Sequence, residues 1–134
     1  MKILIFGQGY IAHKFLDAFG SEAEISLVRI DDFSDVKKEL ELKKPDVVVN
    51  CAGKTGRPNV DWCEDHKMET LYSNVVAPLI LARACEELDL YMVHIGSGCV
   101  YDGYNEGKGY SEEDAPNFEG SYYSRTKAWS ERML

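Results

Sequence analysis

The tyrosine and the lysine of the segment Tyr123-Tyr-Ser-Arg-Thr-Lys127 have the residue types and the spacing of an acid–base pair. They follow a loop rich in glycine and acidic residues, at a point where a helix is expected to begin. On a helix, residues four apart share one face, with Cβ atoms about 5–6 Å from each other. An ammonium beside a phenol favours the ionised phenol, which makes Tyr123 a candidate proton donor or acceptor. By itself this spacing is more typical of an ordinary surface helix, so its meaning depends on the residues upstream.

A glycine-rich turn near the N-terminus is the first element that would position this pair. Ile3–Phe6 is predicted to be a buried strand, and a glycine turn and a helical pattern follow it directly. In a dinucleotide-binding fingerprint, Gly7 permits the tight turn, Gly9 lets the backbone approach a pyrophosphate, and Ala12 allows close packing of helix on strand. The start of the helix offers N–H groups to phosphates. The cofactor-binding residues predicted here are Gly7, Gly9, Tyr10, Ile11 and Ala12. The alternative is a strand–helix turn with incidental glycines.

The second predicted strand, Ile25–Ile30, bears on the choice of cofactor. An acidic residue near the end of this strand binds the ribose 2′-hydroxyl of NAD, whereas an arginine accommodates the 2′-phosphate of NADP. The sequence offers Arg29 and then Asp31 and Asp32, so both cofactors remain open. Arg29 is either a phosphate ligand or a solvated charge at the sheet edge. Asp32 and Phe33 are predicted to line the adenine end of the pocket.

The rest of the chain continues the alternation of strands and helices. The predicted elements are a helix capped by Ser34 and ended by Pro45, a strand over 46–50, helical segments from Asp61 and over 74–88, and a strand over 91–95. This order predicts an α/β fold, a Rossmann-like doubly wound parallel sheet with right-handed crossovers. The small residues that follow Asn50 stand at the carboxyl end of a strand, where such sheets bind their ligands.

Composition narrows the classes of partner. The chain has 134 residues and a formal net charge of −8, with no block of Lys and Arg, which argues against nucleic acid and anionic membranes as partners. No apolar run approaches the roughly 20 residues of a membrane span. The four cysteines form no C-x-x-C pair and the three histidines do not cluster with them, so no metal site is predicted. Reduced thiols indicate a cytoplasmic protein. We expect a single NAD(P)-binding domain over residues 1–134.

Several motifs together resemble the extended short-chain dehydrogenase/reductase family, over essentially the whole chain. They are Gly7-x-Gly9-x-x-Ala12, Asn50-Cys-Ala-Gly53, Asn74, Ser97 and Tyr123-x-x-x-Lys127. Within that family, the segments 45–50 and 93–103 resemble the dTDP-4-dehydrorhamnose reductases. Residues 56–64 are similar to the bifunctional nucleotide-rhamnose synthases, which are 3,5-epimerases and 4-reductases.

The resemblance implies a role for each matching residue. Ser97 and Tyr123 would hydrogen-bond the C4 carbonyl of a UDP- or dTDP-linked 4-keto-6-deoxy sugar, and Tyr123 would protonate its oxygen. Lys127 would bind the nicotinamide ribose. The hydride would come from NADPH, with NADH as the other choice. The residues implied to border the cofactor are Asn50, Ala52 and Gly53.

Cys99 stands where GDP-fucose synthases, which the Ser-x-Cys pattern resembles, have a cysteine that takes part in epimerisation. The resemblance therefore implies that Cys99 is an acid or base for a 3,5-epimerase step. The alternative is a small buried residue after a core strand, which is common for cysteine.

Other interpretations stay open. Family members continue well beyond the position of Leu134, so we expect this chain to be the N-terminal part of a longer enzyme, without the second half of the sheet and the substrate domain. Alone, it is expected to bind cofactor weakly and to turn over poorly.

A dehydratase or 4-epimerase is disfavoured, since dehydratases usually have an Asp-Glu pair where Gly98 and Cys99 stand. A regulatory, dinucleotide-binding subunit is the third hypothesis, and a monomer and a homodimer are both open.

Overall fold

One parallel sheet of four strands organises the protein. The computed structural model describes residues 1–134. The strands are β1 (Ile3–Phe6), β2 (Ala23–Ile25), β3 (Val47–Asn50) and β4 (Tyr91–His94), in the order β2-β1-β3-β4. Their register sets Phe6, Asn50 and His94 side by side at the carboxyl edge of the sheet.

Six α-helices connect and cover the strands. They are α1 (Tyr10–Phe19), α2 (Phe33–Lys43), α3 (Trp62–Asp65), α4 (Lys67–Leu71), α5 (Ala77–Glu87) and α6 (Tyr122–Met133). A π-helical turn spans Tyr72–Val76, and short 3₁₀ turns lie at Gly20–Glu22, Gly98–Val100 and Asn105–Gly107. None of the helices is long and apolar enough to cross a membrane.

Apolar residues cover both faces of the sheet. On one face, Leu4 and Phe6 pack in a cluster with residues of α2 and α5. On the other, Ile3 and Ile5 pack with Ala12 of α1. All four residues of β1 are buried, because this central strand has a neighbour on each side and helices above and below. The prediction of a Rossmann-like α/β fold is therefore confirmed.

The second strand lies earlier than predicted. It covers Ala23–Ile25 and not Ile25–Ile30. The N–H of Ser26 still bonds the carbonyl of Ile5, but the Ser26 hydroxyl then accepts the N–H of Val28 at 3.1 Å and donates to Glu39 at 2.9 Å. A serine side chain that bonds the backbone competes with the strand ladder, so the chain leaves the sheet here.

The start of α2 also differs from the prediction. The cap is Asp32, whose carboxylate accepts the N–H groups of Ser34 and Asp35, and Ser34 lies inside the first turn. Both residue types are good caps, and the carboxylate adds a favourable charge at the positive end of the helix dipole. Lys44, in the left-handed conformation, ends the helix just before Pro45.

The segment predicted to be a helix from Asn74 to Leu88 is part of a longer helical run. Helix α4, the π turn and α5 follow one another without a break from Lys67 to Glu87. Pro78, in the first turn of α5, has no N–H to continue an α-helical ladder, and the π turn directly precedes that point.

Candidate functional site

A cleft opens at the carboxyl edge of the sheet between β1 and β3. The chain leaves β1 towards β2 on one side and reaches β3 on the other, and ligands of open α/β sheets bind at such a switch point. The cleft has a volume of about 590 Å³. Among its lining residues are Gly7, Gly9, Arg29, Asp31, Ala52 and Gly53.

Gly7 is a glycine because the fold demands it. Its φ is +108°, and a Cβ at this position would lie 2.6 Å from the nitrogen of Ala52 and 2.7 Å from the carbonyl carbon of Cys51. The backbones after β1 and β3 therefore approach each other too closely for any side chain here.

Gly9 has a different reason to be a glycine. Its φ of −85° is open to any residue, and a Cβ there would meet nothing within 4 Å. Gly9 is the cap of α1 without a side-chain hydrogen bond, and the first turn of the helix has no acidic residue. The free N–H groups and the positive end of the helix dipole thus face open space, as an anion site requires.

The other residues predicted in this turn are divided between solvent and core. Tyr10 and Ile11 are exposed and do not line the cleft, whereas Ala12 is fully buried and lets α1 pack on β1. We call residues 7–12 the glycine turn.

Arg29 and Asp31 form an ion pair on the rim of the cleft. The Arg29 Nε donates to the Asp31 carboxylate at 2.8 Å, and the Tyr72 hydroxyl donates to the Asp31 carbonyl at 2.9 Å. Asp32 and Phe33 do not line the cleft. Asp32 caps α2, and Phe33 packs against the core below the guanidinium of Arg83.

Helix α6 places the Tyr-x-x-x-Lys pair against the end of β4. Tyr123 and Lys127 are buried, at 9% and 5% exposure, and lie one helical turn apart. The Tyr123 carbonyl accepts the Thr126 hydroxyl at 2.8 Å, whereas the Tyr123 hydroxyl makes no hydrogen bond within the chain. It is free to meet a ligand.

Lys127 is held by the carboxyl edge of the sheet. Its Nζ donates to the carbonyl of Ile95 at 2.8 Å and lies 3.4 Å from Nε2 of His94. The other ring nitrogen of His94, Nδ1, lies 3.1 Å from the amide nitrogen of Asn50. The Asn50 Oδ1 accepts the N–H of Ala52 at 3.0 Å. We call Asn50, His94, Ile95 and Lys127 the lysine cluster.

Burial shifts the pKa of both basic groups in the lysine cluster downwards. The pKa of His94 falls to about 4, chiefly through desolvation and secondly through the charge of Lys127. Desolvation also lowers the pKa of Lys127, against the opposite effect of Glu131. The histidine is therefore neutral at physiological pH.

Ser97 and Cys99 follow β4 directly, on the side of α6. Ser97 comes two residues after the carbonyl that binds Lys127, and its hydroxyl accepts the N–H of Cys99 at 3.2 Å. The 3₁₀ turn Gly98–Val100 packs against α6. Cys99 is the exposed cysteine, whereas Cys63 and Cys85 are buried. Burial raises the pKa of Cys85 to about 11.

The start of α6 is fixed by two side chains. The Ser121 hydroxyl accepts the N–H of Ser124 at 3.1 Å, and the carboxylate of Glu64 accepts the N–H of Tyr122 at 2.5 Å. Glu64 also lies 3.8 Å from the guanidinium of Arg125. It therefore anchors the helix turn that contains Tyr123.

Asn74 ties the π turn to α6. Its amide nitrogen donates to the Lys54 carbonyl at 3.0 Å and to the Thr126 hydroxyl at 3.1 Å, while its oxygen accepts the N–H of Lys54 at 2.6 Å. Sequence motifs indicated Asn74 without predicting its contacts, and they indicated neither the contacts of His94 nor those of Glu64. The one local signal for a contact of His94 was that His94 and Asn50 each end an apolar strand.

The whole chain, residues 1–134, matches the family described as the RmlD substrate binding domain. It is 43% identical over 143 residues to a trifunctional UDP-glucose 4,6-dehydratase/UDP-4-keto-6-deoxy-D-glucose 3,5-epimerase/UDP-4-keto-L-rhamnose-reductase of Arabidopsis thaliana, covering 100% of this chain and 21% of that protein. It is 41% identical over 143 residues to the bifunctional dTDP-4-dehydrorhamnose 3,5-epimerase/dTDP-4-dehydrorhamnose reductase of the same plant, covering 99% of this chain and 47% of that protein.

A solved structure agrees with these sequence matches. The L780 UDP-rhamnose synthase of Acanthamoeba polyphaga mimivirus superposes with a TM-score of 0.87 at 33% identity, over 99% of this chain and 51% of that one. The chain thus spans about half the length of that enzyme and of the bifunctional relative, and less of the trifunctional one. These matches confirm the resemblance to rhamnose-forming reductases and synthases. Because the family match extends over every residue, the protein belongs to the RmlD substrate binding domain family.

Proposed function

We propose that this protein takes part in the NAD(P)H-dependent reduction of the C4 keto group of a nucleotide 4-keto-6-deoxy-hexose, the step that forms a UDP- or dTDP-linked rhamnose. The bifunctional and trifunctional relatives bear reductase names. Since the chain spans only part of each, the activity assigned here rests on its own site residues together with that kinship.

The glycine turn and the cleft fit a dinucleotide. The open space at Gly9 suits a pyrophosphate, which would receive the unpaired N–H groups of α1. Ala52 and Gly53, which have small or no side chains, leave the cleft open on the side of β3. Arg29, on the rim, has a guanidinium that could turn from Asp31 to a 2′-phosphate, so NADPH is the favoured cofactor and NADH the alternative.

The side chains after β4 and on α6 would handle the sugar. When bound, the reduced nicotinamide supplies the hydride that C4 requires. The hydroxyls of Ser97 and Tyr123 would donate hydrogen bonds to the C4 oxygen, where negative charge develops, and Tyr123 would give it a proton. Lys127 would position the nicotinamide ribose.

The position of Lys127 carries this proposal. An almost fully buried lysine bonds the carbonyl of Ile95, which links α6 to the strand end that continues into Ser97. An ordinary surface helix would leave Tyr123 and Lys127 in solvent, and the lysine would have no reason to accept the desolvation. The burial therefore favours an acid–base pair.

Loss of NADPH absorbance with UDP- or dTDP-4-keto-6-deoxyglucose tests the activity. Replacing Tyr123 by Phe is expected to lower kcat by about 10²–10⁴-fold, since the proton donor is lost. The matched control is Tyr122→Phe, because the Tyr122 ring packs edge-on against Trp129 and its N–H, not its hydroxyl, bonds Glu64. Equal loss in the two variants would remove the role of proton donor from Tyr123. Cofactor binding without any reduction by the full-length protein would contradict the reductase and favour a regulatory subunit.

A 3,5-epimerase step is the second proposed activity. Cys99 is exposed beside Ser97, and both Arabidopsis relatives include 3,5-epimerase in their names. Deuterium from solvent is expected to enter C3 and C5 of the keto sugar with the native protein and not with Cys99→Ala. Cys63→Ala is the control, since that thiol is buried. Unchanged exchange in Cys99→Ala would remove the assignment.

A further inference from the structure

Tyr72 lines the cleft, yet neither the sequence motifs nor the proposed reaction gives it a role. It begins the π turn, a rare helical geometry that is frequent at functional sites, and it is 37% exposed, so its ring can meet a ligand. Its hydroxyl donates to the carbonyl of Asp31, 41 residues away in the sequence, at 2.9 Å. This bond joins the π turn to the segment that follows β2, residues 26–32, which we call the β2 loop.

The middle of the β2 loop depends on Tyr72 for its position. At the start of the loop, the N–H of Val28 bonds the Ser26 hydroxyl at 3.1 Å, and at its end the carboxylate of Asp32 caps α2. Neither contact holds residues 29–31. The bond from Tyr72 is the single hydrogen bond that these three residues make with a part of the chain outside the β2 loop.

Residues 29–31 contain the two charged groups that bear on the choice of cofactor. The Arg29 guanidinium and the Asp31 carboxylate pair at 2.8 Å, and their side chains are 85% and 54% exposed. An ion pair as exposed as this contributes about 0–1 kcal/mol and does not fix its own position. The place of the carboxylate relative to a ligand therefore depends on the main chain of Asp31, which Tyr72 holds.

We infer that Tyr72 is a positioning residue for the choice of cofactor. By holding the main chain of Asp31, it keeps Arg29 and Asp31 where they discriminate the 2′-phosphate of NADPH from the 2′-hydroxyl of NADH. The inference rests on the proposed function, since it requires a dinucleotide in the cleft. A phosphate needs the guanidinium close and the carboxylate turned away, whereas a hydroxyl needs only one acceptor. Loss of the Tyr72 bond should therefore weaken the binding of NADPH more than that of NADH.

The first test compares the two dissociation constants in Tyr72→Phe, which removes the hydroxyl and keeps the ring. Fluorescence titration with NADPH and with NADH, in the absence of any sugar, measures them. We expect NADPH to bind about 3–10-fold more weakly and NADH at most about 2-fold more weakly, because one hydrogen bond is lost. The ratio is the decisive quantity, since a merely structural role would weaken both cofactors alike. Tyr91→Phe, at an exposed tyrosine that begins β4, is the control and should leave both constants unchanged.

The second test shows whether Tyr72 acts through Arg29. In Arg29→Ala the cation for the 2′-phosphate is gone, so adding Tyr72→Phe should change the ratio of the two constants by no more than about 2-fold. The same change of ratio with and without Arg29 would overturn the inference. An unchanged ratio in Tyr72→Phe alone would also overturn it and leave the proposed reductase intact. Conversely, the expected ratios in a protein that reduces no keto sugar would support the inference and contradict the reductase.

Discussion

The glycine turn and the lysine cluster lie at the same edge of the sheet but are built in opposite ways. In the glycine turn, side chains are missing: Gly7 lets two backbones touch, and Gly9 leaves the start of α1 uncapped and open. In the lysine cluster, side chains satisfy one another, from the amide of Asn50 through the ring of His94 to Lys127. The first region is ready for a ligand because the protein leaves its polar groups unpaired. The second is fixed in place before any ligand arrives.

This difference predicts that mutations in the two regions affect stability and binding separately. The largest effect on folding should come from Gly7→Ala. The new Cβ would collide with the backbone at Cys51 and Ala52, and alanine rarely adopts a φ of +108°. We expect the free energy of unfolding to fall by about 2–5 kcal/mol, measured by urea denaturation. A loss below about 1 kcal/mol would show that the backbone after β3 moves to accommodate the extra methyl group.

Acid should weaken the lysine cluster. In the folded protein, burial and Lys127 lower the pKa of His94 from 6.5 to about 4, so between these values the unfolded chain binds more protons than the folded one. The stabilisation that the neutral His94 gives the folded protein is therefore complete above pH 6.5 and is lost as the pH falls towards 4. With allowance for solvent screening of a partly buried ring, the loss is roughly 1–3 kcal/mol.

Denaturation curves of the native protein and of His94→Gln across this pH range measure that contribution. The variant should lose less stability on acidification than the native protein. His13→Gln, which removes an exposed ring on α1, is the control and should follow the native curve. Parallel curves for the native protein and His94→Gln would refute the expectation.

A smaller effect is expected at the anchor of α6. Glu64→Ala removes the acceptor for the Tyr122 N–H and the partner of Arg125, which should lower stability by about 1 kcal/mol. Glu64→Gln keeps an acceptor and should recover part of the loss. If Glu64→Ala also lowers kcat more than it raises KM, the carboxylate positions Tyr123. An effect on stability alone would limit Glu64 to a structural role.

The smallest effect on folding, and a large one on binding, is expected for Gly9→Ala. Its extended backbone accepts alanine and a Cβ there touches nothing, so the free energy of unfolding should change by no more than about 0.5 kcal/mol. The same methyl group would stand where a pyrophosphate approaches. Titration calorimetry with NADPH should show affinity at least about tenfold weaker. Unchanged affinity would show that the glycine turn does not bind the cofactor.

The features that depend on neighbours along the chain could be predicted from sequence patterns. The bounds of β1, the glycine turn and the start of α1 all follow from about fifteen consecutive residues, since apolar runs and glycines act on local backbone conformation. The pairing of Tyr123 with Lys127 is equally local, because one helical turn sets it. Even so, local patterns put β2 too late and chose Ser34 over Asp32 as the cap of α2. In both places several adjacent residues were acceptable, and side-chain hydrogen bonds made the choice.

The surroundings of Lys127 depend on residues far away in the sequence. His94 meets Asn50 from 44 residues away and Lys127 from 33, and Glu64 reaches the start of α6 across 58. Such contacts depend on which strands pair and in which register, so no pattern within a short window contains them. The reason is physical: strand pairing brings the ends of β3 and β4 together, and the cost of burying polar groups there forces them to satisfy one another.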